Sequence, residues 1–341
     1  MRETVDRGEI ERAAALLRAG RLVAFPTETV YGLGANALDA AAVARIYAVK
    51  RRPATSPLIV HVASLEMAQS LVATWTEIAD RLARRFWPGP LTLVLEKKLE
   101  KQGEKLSTIP DIVTAGLSTV GLRVPAHPIA HALIQAAGVP IAAPSANRFT
   151  ELSPTTAEHV RRSLGPEIDL ILDGGPCEVG IESTVLSLTA SKPRLLRPGG
   201  ISRKELEGIL GPIDSGLEHQ TGAHSAPGLH PKHYSPRTTL YLTTQGKVPD
   251  QSHGIYLQYK HPPTRADIRI HQMPLSPAQY AAVLYEVLHQ ADGGNYTWIG
   301  VDCPPSTAEW EAIHDRLKRA AAHQSGTPRV LGTNHTWNKQ T

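Results

Sequence analysis

A mixed α/β chain is the expectation: a twisted, mixed sheet with flanking helices, followed by a smaller second α/β unit. Three observations predict it. The 341 residues exceed the roughly 250–300 at which a single core stops growing, so two domains are the natural division. Strand-like and helix-like runs alternate irregularly in the first part, and strands then dominate between residues 169 and 197, which argues against a clean doubly wound order. Past residue 236 the rhythm changes, and the pattern there is that of a small α/β layer structure.

Each element has its own reason. Ile10, Ala13, Ala14, Leu16 and Leu17 fall on one face at helical spacing, and Gly20 stops that helix. Leu22–Phe25 is a short apolar strand ended by Pro26. A second helix runs from Asp39 to about Val49 and delivers Lys50-Arg51-Arg52 at its C-terminus. Pro57–Val62 reads as a buried strand, Ser64–Val72 and Thr76–Phe86 as helices, and Leu91–Glu96 as a strand. Strand Val120–Val124, helix His127–Ala137 and strand Val139–Ala143 follow. Ser153 is placed to cap a helix over Pro154–Leu164, with Pro154 at its first position. Asp169–Leu172, Ser183–Leu188 and Arg194–Arg197 read as strands.

Residues 200–236 carry Gly, Pro, Ser and His with little hydrophobic periodicity and read as a linker. Beyond it, Thr239–Thr243, Gly254–Tyr259 and Ile268–His271 are strands, Ser276-Pro277 opens a helix, and Thr297–Asp302 is a further strand. Ser306 and Glu309 form a capping box before the last helix, and the final ten residues read as a tail. The domain division is therefore 1–200, a linker over 201–236, and 237–341.

Composition is that of a globular protein, 41% hydrophobic and 20% charged, without a low-complexity tract. No apolar run approaches the ~18 residues of a membrane span, and the first residues lack a signal-peptide pattern. Cys177 and Cys303 fall in different domains and cannot build a disulfide framework, so a cytoplasmic location is expected. The net charge of +4 is spread over the chain without a basic block, which gives little support to nucleic acid as the main ligand. Lys50, Arg51, Arg52, Arg123, Arg148 and Arg197 could still form a local basic patch.

The stretch Phe25-Pro-Thr-Glu-Thr-Val-Tyr-Gly-Leu-Gly34 is the most informative. Hydroxyls and a carboxylate gather at the end of a strand, where α/β folds build their sites, and Gly32 and Gly34 allow close backbone approach. By composition alone it is equally an ordinary polar turn. No GxxxxGK[ST] cradle exists, so any phosphate must be held by scattered donors. Lys50 and Arg52 could supply them or simply complement a helix dipole. His61 on Leu58-Ile-Val-His-Val62 is a satisfied core residue or a ligand contact. Arg123 on an apolar strand needs a partner, either a bound carboxylate or a protein carboxylate such as Glu28 or Glu182. Ser145 and Ser153 alone read equally as turn or capping residues. The linker histidines His219, His224, His230 and His233 match no standard zinc spacing, and no metal site is expected of the protein itself.

Seven blocks in fixed order resemble the YrdC-like threonylcarbamoyl-AMP synthase family. They are Pro26–Gly34, Lys50-Arg51-Arg52-Pro53 with Ser56-Pro57-Leu58, Phe86–Thr92, Val120–Pro125, Ser145-Ala146-Asn147, Glu182–Val185 and Leu196–Gly199. Ala226–Pro236 resembles the linker of the longer, two-domain members. The resemblance implies a YrdC-like fold followed by a smaller, Rossmann-like domain. It implies synthesis of L-threonylcarbamoyladenylate and pyrophosphate from L-threonine, bicarbonate or CO2, and ATP, with Mg2+ bridging the phosphates. The product would feed a tRNA-modifying transferase complex.

In the family's pattern Thr29, His61, Arg123, the backbone at Ala143, and Ser183 face the amino acid. Arg52, Ser56, Thr119, Ser145, Asn147, Ser153 and Arg197 face ATP, and Lys50 with Arg52 would act in catalysis. The linker of two-domain relatives folds over the pocket, and Tyr234 in Lys232-His-Tyr-Ser235 is the residue it would bring to the nucleotide. Two alternatives remain open: a double-stranded RNA or tRNA-binding module with a vestigial pocket, and an accessory carbamoyltransferase domain. Related carbamoyltransferases carry zinc-finger and acylphosphatase-like regions that this chain lacks.

Overall fold

The computed structural model describes residues 5–99, 108–215, 233–323 and 327–332. They fall into two compact units. The first takes in the described residues up to Phe149 and from Ser153 to 215, and the second takes in Thr150–Leu152 and those from His233 onward.

The first unit is built on a ten-stranded mixed sheet. Its strands are β1 (Val23–Phe25), β2 (Gly32–Asn36), β3 (Ile59–His61), β4 (Leu91–Glu96), β5 (Thr119–Arg123), β6 (Ile141–Ala142), β7 (Leu170–Ile171), β8 (Thr184–Ser187), β9 (Arg194–Arg197) and β10 (Asp214–Ser215). They lie in the order β10-β9-β8-β4-β5-β3-β6-β2-β1-β7. Eight helices accompany them: α1 (Arg7–Arg18), α2 (Ala40–Lys50), α3 (Leu65–Ser70), α4 (Glu77–Phe86), α5 (Asp111–Thr114), α6 (Pro128–Ala137), α7 (Ala157–Leu164) and α8 (Arg203–Leu210). The expected mixed sheet with flanking helices is what forms.

The register decides what each face carries, because paired residues share a face and successive ones alternate. Ala24, Leu33, Ala35, Ala142, Val60, Leu122, Leu93, Leu186 and Leu195 share one face. They belong to the main core with apolar residues of α2, α4 and α7. The opposite face is divided. Val23, Phe25, Ile141 and Ala143 are covered by Ala13, Ala14 and Leu17 of α1 and Leu133 and Ile134 of α6. Farther along the same face, Ile59, Val94, Val185 and Leu196 form a cluster of four residues without a helical member. His61 of β3, Arg123 of β5 and Thr92 of β4 lie on that same face.

Several elements differ from the sequence reading. The second half of the Pro26–Gly34 stretch is strand β2, paired antiparallel with β1 through Phe25↔Gly32 and Val23↔Gly34. Helix α7 begins three residues later than expected: Thr156, not Ser153, is its N-cap and accepts from His159 N, because the Ser153 hydroxyl is engaged elsewhere. Part of the expected linker is ordered. α8 carries a capping box of Ser202 and Glu205, and β10 joins the sheet edge beside β9. Residues 216–232 lie outside the described residues, and with them His219, His224 and His230.

The second unit holds a five-stranded parallel sheet in the order β13-β12-β14-β11-β15. The strands are β11 (Thr239–Thr243), β12 (Gly254–Gln258), β13 (Arg269–Gln272), β14 (Trp298–Asp302) and β15 (Val330–Leu331), with helices α9 (Pro277–Gly293) and α10 (Glu311–Ala321). Ser276 caps α9 with Pro277 in its first turn, as the sequence predicts. The capping box expected at Ser306 and Glu309 does not form. A 3-10 turn over Ala308–Trp310 leads into α10, whose N-cap Trp310 offers no side-chain acceptor. No helix among the described residues is long and apolar enough to cross a membrane.

Candidate active site

The turn between β1 and β2 is tied by one hydroxyl. Thr27 Oγ1 donates to Val30 O at 2.6 Å and accepts from the Thr29 and Val30 amides at 3.2 Å. Tyr31 N donates to Pro154 O, and Ala146 N to Tyr31 O, so the loop is laid against the Ser145–Asn147 block. The glycines serve packing here. A Cβ on Gly34 would stand 2.8 Å from the Phe25 ring and 2.9 Å from Ile141, and one on Gly32 3.3 Å from Ala143. The expectation that these glycines open the backbone to a ligand is replaced by tight sheet packing.

Arg123 and His61 face each other across β5 and β3. Arg123, 3% exposed, donates Nε to Gly89 O at 3.1 Å and Nη1 to Thr29 Oγ1 at 3.0 Å. Its Nη2 stands 2.7 Å from Glu28 Oε1, but the pair lacks hydrogen-bond alignment. Glu28 is thus the protein carboxylate beside Arg123. Glu28 Oε2 accepts from Ala126 N at 3.1 Å. His61 is buried with its ring edge-on to Phe25. Burial, and then the Arg123 charge, push its pKa down to about 3, so the imidazole is neutral. The Ala143 amide is spent in the ladder, donating to Ile59 O.

At the C-terminal end of α2, Arg51 turns into the left-handed region at φ 51°. The turn sends Lys50 and Arg52 inward. Lys50 Nζ donates to Ser145 O at 2.5 Å and to Asn147 O, while Phe149 N returns a bond to Lys50 O. Arg52 donates to Ser56 O and Pro57 O, and its guanidinium lies 5.7 Å from the centre of the Phe149 ring. The two blocks are thereby folded into one cluster.

A third group lies toward β8 and β9. Arg197 grips Ser183 through three hydrogen bonds, Nε and Nη2 to its carbonyl at 3.1 and 2.9 Å, and Nη2 to its hydroxyl at 3.1 Å. Ser183 Oγ meets Thr92 Oγ1 at 2.8 Å. Ser153 Oγ donates to Glu182 Oε1 at 2.5 Å. Thr119 starts β5, four residues and so about 13 Å from Arg123. It lines a narrow cleft with Thr92, Gly121, Ile59, Val94 and Val185. Thr92 is not singled out by the sequence reading. Its signal was a lone hydroxyl in the apolar strand Leu91-Thr-Leu-Val-Leu95.

The possible basic patch is not formed by four of its six members. Lys50, Arg52, Arg123 and Arg197 are all 8% exposed or less, and they point into carbonyls and hydroxyls. Arg148 pairs with Glu167. Among the described residues, no group of three or more His, Cys, Asp or Glu could hold a metal ion. Tyr234 belongs to the second unit, where its ring lies 5.9 Å from that of Tyr285 and beneath Arg316 at 5.3 Å. Its φ of 57° is strained for an aromatic residue.

Comparison with known proteins bears on this arrangement. A family model described as "Telomere recombination" (Sua5_yciO_yrdC) matches residues 15–199, and one described as "Threonylcarbamoyl-AMP synthase, C-terminal domain" matches residues 201–322. A threonylcarbamoyl-AMP synthase of Bacillus subtilis is 42% identical over 330 residues, covering 92% of this chain and 93% of its own. One from Pyrococcus abyssi is 48% identical over 245 residues, covering 71% and 70%. The crystal structure of P. abyssi Sua5 complexed with L-threonine superposes with a TM-score of 0.85 at 35% identity, covering 97% of this chain and 98% of the other.

Proposed function

The chain belongs to the threonylcarbamoyl-AMP synthase family, and from that premise we propose that it joins L-threonine, CO2 or bicarbonate, and ATP into threonylcarbamoyl-AMP and pyrophosphate. The observation that carries this reading is the buried Arg123–Glu28–His61 group on one sheet face, together with the buried Lys50–Arg52 cluster of the same unit. An amino acid with its carboxylate on the Arg123 guanidinium would lie between neutral His61 and the Ser183–Arg197 pair. ATP would lie toward Arg52, Ser56, Ser145 and Asn147, with Thr119, Ser153 and Arg197 bounding it.

The chemistry runs in two steps without a covalent enzyme intermediate. The threonine amine adds to CO2, and a carbamate oxygen then attacks the ATP α-phosphorus and displaces pyrophosphate. Charge develops on phosphate oxygens, so preorganised buried cations are the effective catalysts. Lys50 acts chiefly by fixing the Ser145–Asn147 segment, and Arg52 by holding its charge against Ser56. The described residues offer no carboxylate set for a cation, so Mg2+ would arrive on the ATP phosphates rather than on protein ligands. Lys50, Arg52, Arg123 and Arg197 face inward and so are not available to an RNA backbone, which weighs against the RNA-binding alternative. Pyrophosphate release by the purified protein tests the reading. Release that requires both L-threonine and bicarbonate supports it, and ATP left untouched in every combination overturns it.

A further inference from the structure

Buried polar groups are paired with few exceptions, and each exception calls for an explanation. Three exceptions fall side by side in the first unit: Glu28 Oε1, Arg123 Nη2 and His61 Nδ1 are sealed from solvent without an aligned hydrogen bond. Their residues are 7%, 3% and 4% exposed. His61 and Arg123 are register partners, and Oε1 and Nη2 stand 2.7 Å apart. One spot therefore holds a carboxylate oxygen and a guanidinium nitrogen that are paired by charge but not joined by an aligned hydrogen bond. A zwitterionic α-amino acid supplies the complement of both, its carboxylate to the guanidinium and its ammonium to Glu28.

We infer that Glu28 is a catalytic residue, receiving the α-ammonium of bound threonine and taking its proton as the carbamate forms. The inference rests on the synthase reading above. An ammonium nitrogen has no lone pair, so it must lose a proton before it can attack. In the proposed step one N–H bond breaks, its proton passes to Glu28 Oε1, and the released pair bonds the carbon of CO2. A C–O π pair moves onto oxygen, and the second N–H proton leaves to water, giving the carbamate anion. Glu28 later returns its proton to solvent.

The other titratable groups around Glu28 are less suited. His61, held down to about 3 by burial and by Arg123, is a very weak base. Burial pushes the Cys177 thiol up to about 12, leaving it protonated. His127 faces Glu28 and Glu178, but burial lowers its pKa, and its Nδ1 is occupied capping α6. Arg123 is the cation facing Glu28 and cannot accept a proton.

The test follows threonine-dependent pyrophosphate release across pH at fixed dissolved CO2, with wild-type protein and Glu28→Gln. With a resident carboxylate base, the wild-type rate is flat over the pH range in which the carboxylate is ionised and the amine protonated. Without one, the enzyme must await amine already neutralised in water, and its rate climbs tenfold per pH unit. Glu28→Gln is expected to lose about 100-fold in kcat and to acquire that climb. If it keeps the wild-type profile, whatever its rate, Glu28 only positions Arg123 and the inference fails. Should the variant not fold, the wild-type profile decides: a plateau supports the base, and a climb overturns it. Failure of the synthase reading looks different, because wild-type protein would then release no pyrophosphate at any pH.

Discussion

Lys50 reaches across 97 positions of sequence to donate its ammonium to the carbonyl of Asn147, and the same nitrogen holds Ser145 O at 2.5 Å. A charged donor on two buried carbonyls ties the end of α2 to the chain leaving β6. Lys50→Met keeps most of the stem's packing but strips the donor from both acceptors. We expect a stability loss of about 2 kcal/mol, read as a lower urea midpoint, together with a raised KM for ATP. An unchanged KM would mean that the 145–147 segment does not shape the nucleotide site.

Arg197 and Ser183 make a separate case, because charge and geometry can be parted there. Lysine keeps the charge but not the planar fork that meets the Ser183 carbonyl and hydroxyl together. Arg197→Lys is expected to cost at least about tenfold in kcat/KM, or about 1.4 kcal/mol of transition-state stabilisation. Steady-state pyrophosphate release measures it. Full activity in the lysine variant would show that only the charge is needed.

In the second unit, Asp315 sits between Arg316 at 2.7 Å and Arg319 at 2.9 Å. Burial works against its ionisation, but Arg319 and Arg316 more than offset that and hold its carboxyl below the usual range. Arg316 also covers the Tyr234 ring. Arg316→Ala removes one partner of a buried pair, and about 3 kcal/mol of stability should go with it. If Tyr234 serves the nucleotide, the KM for ATP rises in the same variant at temperatures where it stays folded. A stability loss with normal ATP kinetics would separate Tyr234 from the nucleotide.

Most helices were legible because their evidence is local. Ile10 to Leu17 lie on one face, and Ser276-Pro277 announces a helix start. Strand β2 was hidden by its own composition, since Gly-Leu-Gly-Ala-Asn is unfavourable for strand on propensity alone. Only the Phe25 ring and Ile141, filling the space above Gly34, make it one. Ser153 misled because its hydroxyl is taken by Glu182, 29 positions away, and not by the helix it precedes. The site blocks could be read, but not their mutual facing. That His61 opposes Arg123, and that Glu28 closes on the same guanidinium, are facts of register and chain crossing that no local pattern carries.

His61 gives the pH dependence of folding. Its pKa of about 3 in the folded state lies well below the ordinary value of 6.5, so the unfolded chain binds the proton more readily. Stability from this residue is fully present above about pH 6.5 and is lost as the pH falls from there toward 3. The slope is at most about 1.4 kcal/mol per pH unit. His159, lowered to about 4 by burial and then by the charge of Arg162, acts in the same direction. Asp315, whose pKa is lowered by Arg319 and Arg316, loses its own contribution only at lower pH. Urea unfolding at pH 7 and pH 5 should therefore give a lower midpoint at pH 5. In His61→Asn, which cannot titrate there, the difference should shrink by the His61 share. An undiminished difference would mean that His61 is protonated in the folded protein after all, and its placement as a neutral group beside Arg123 would have to be abandoned.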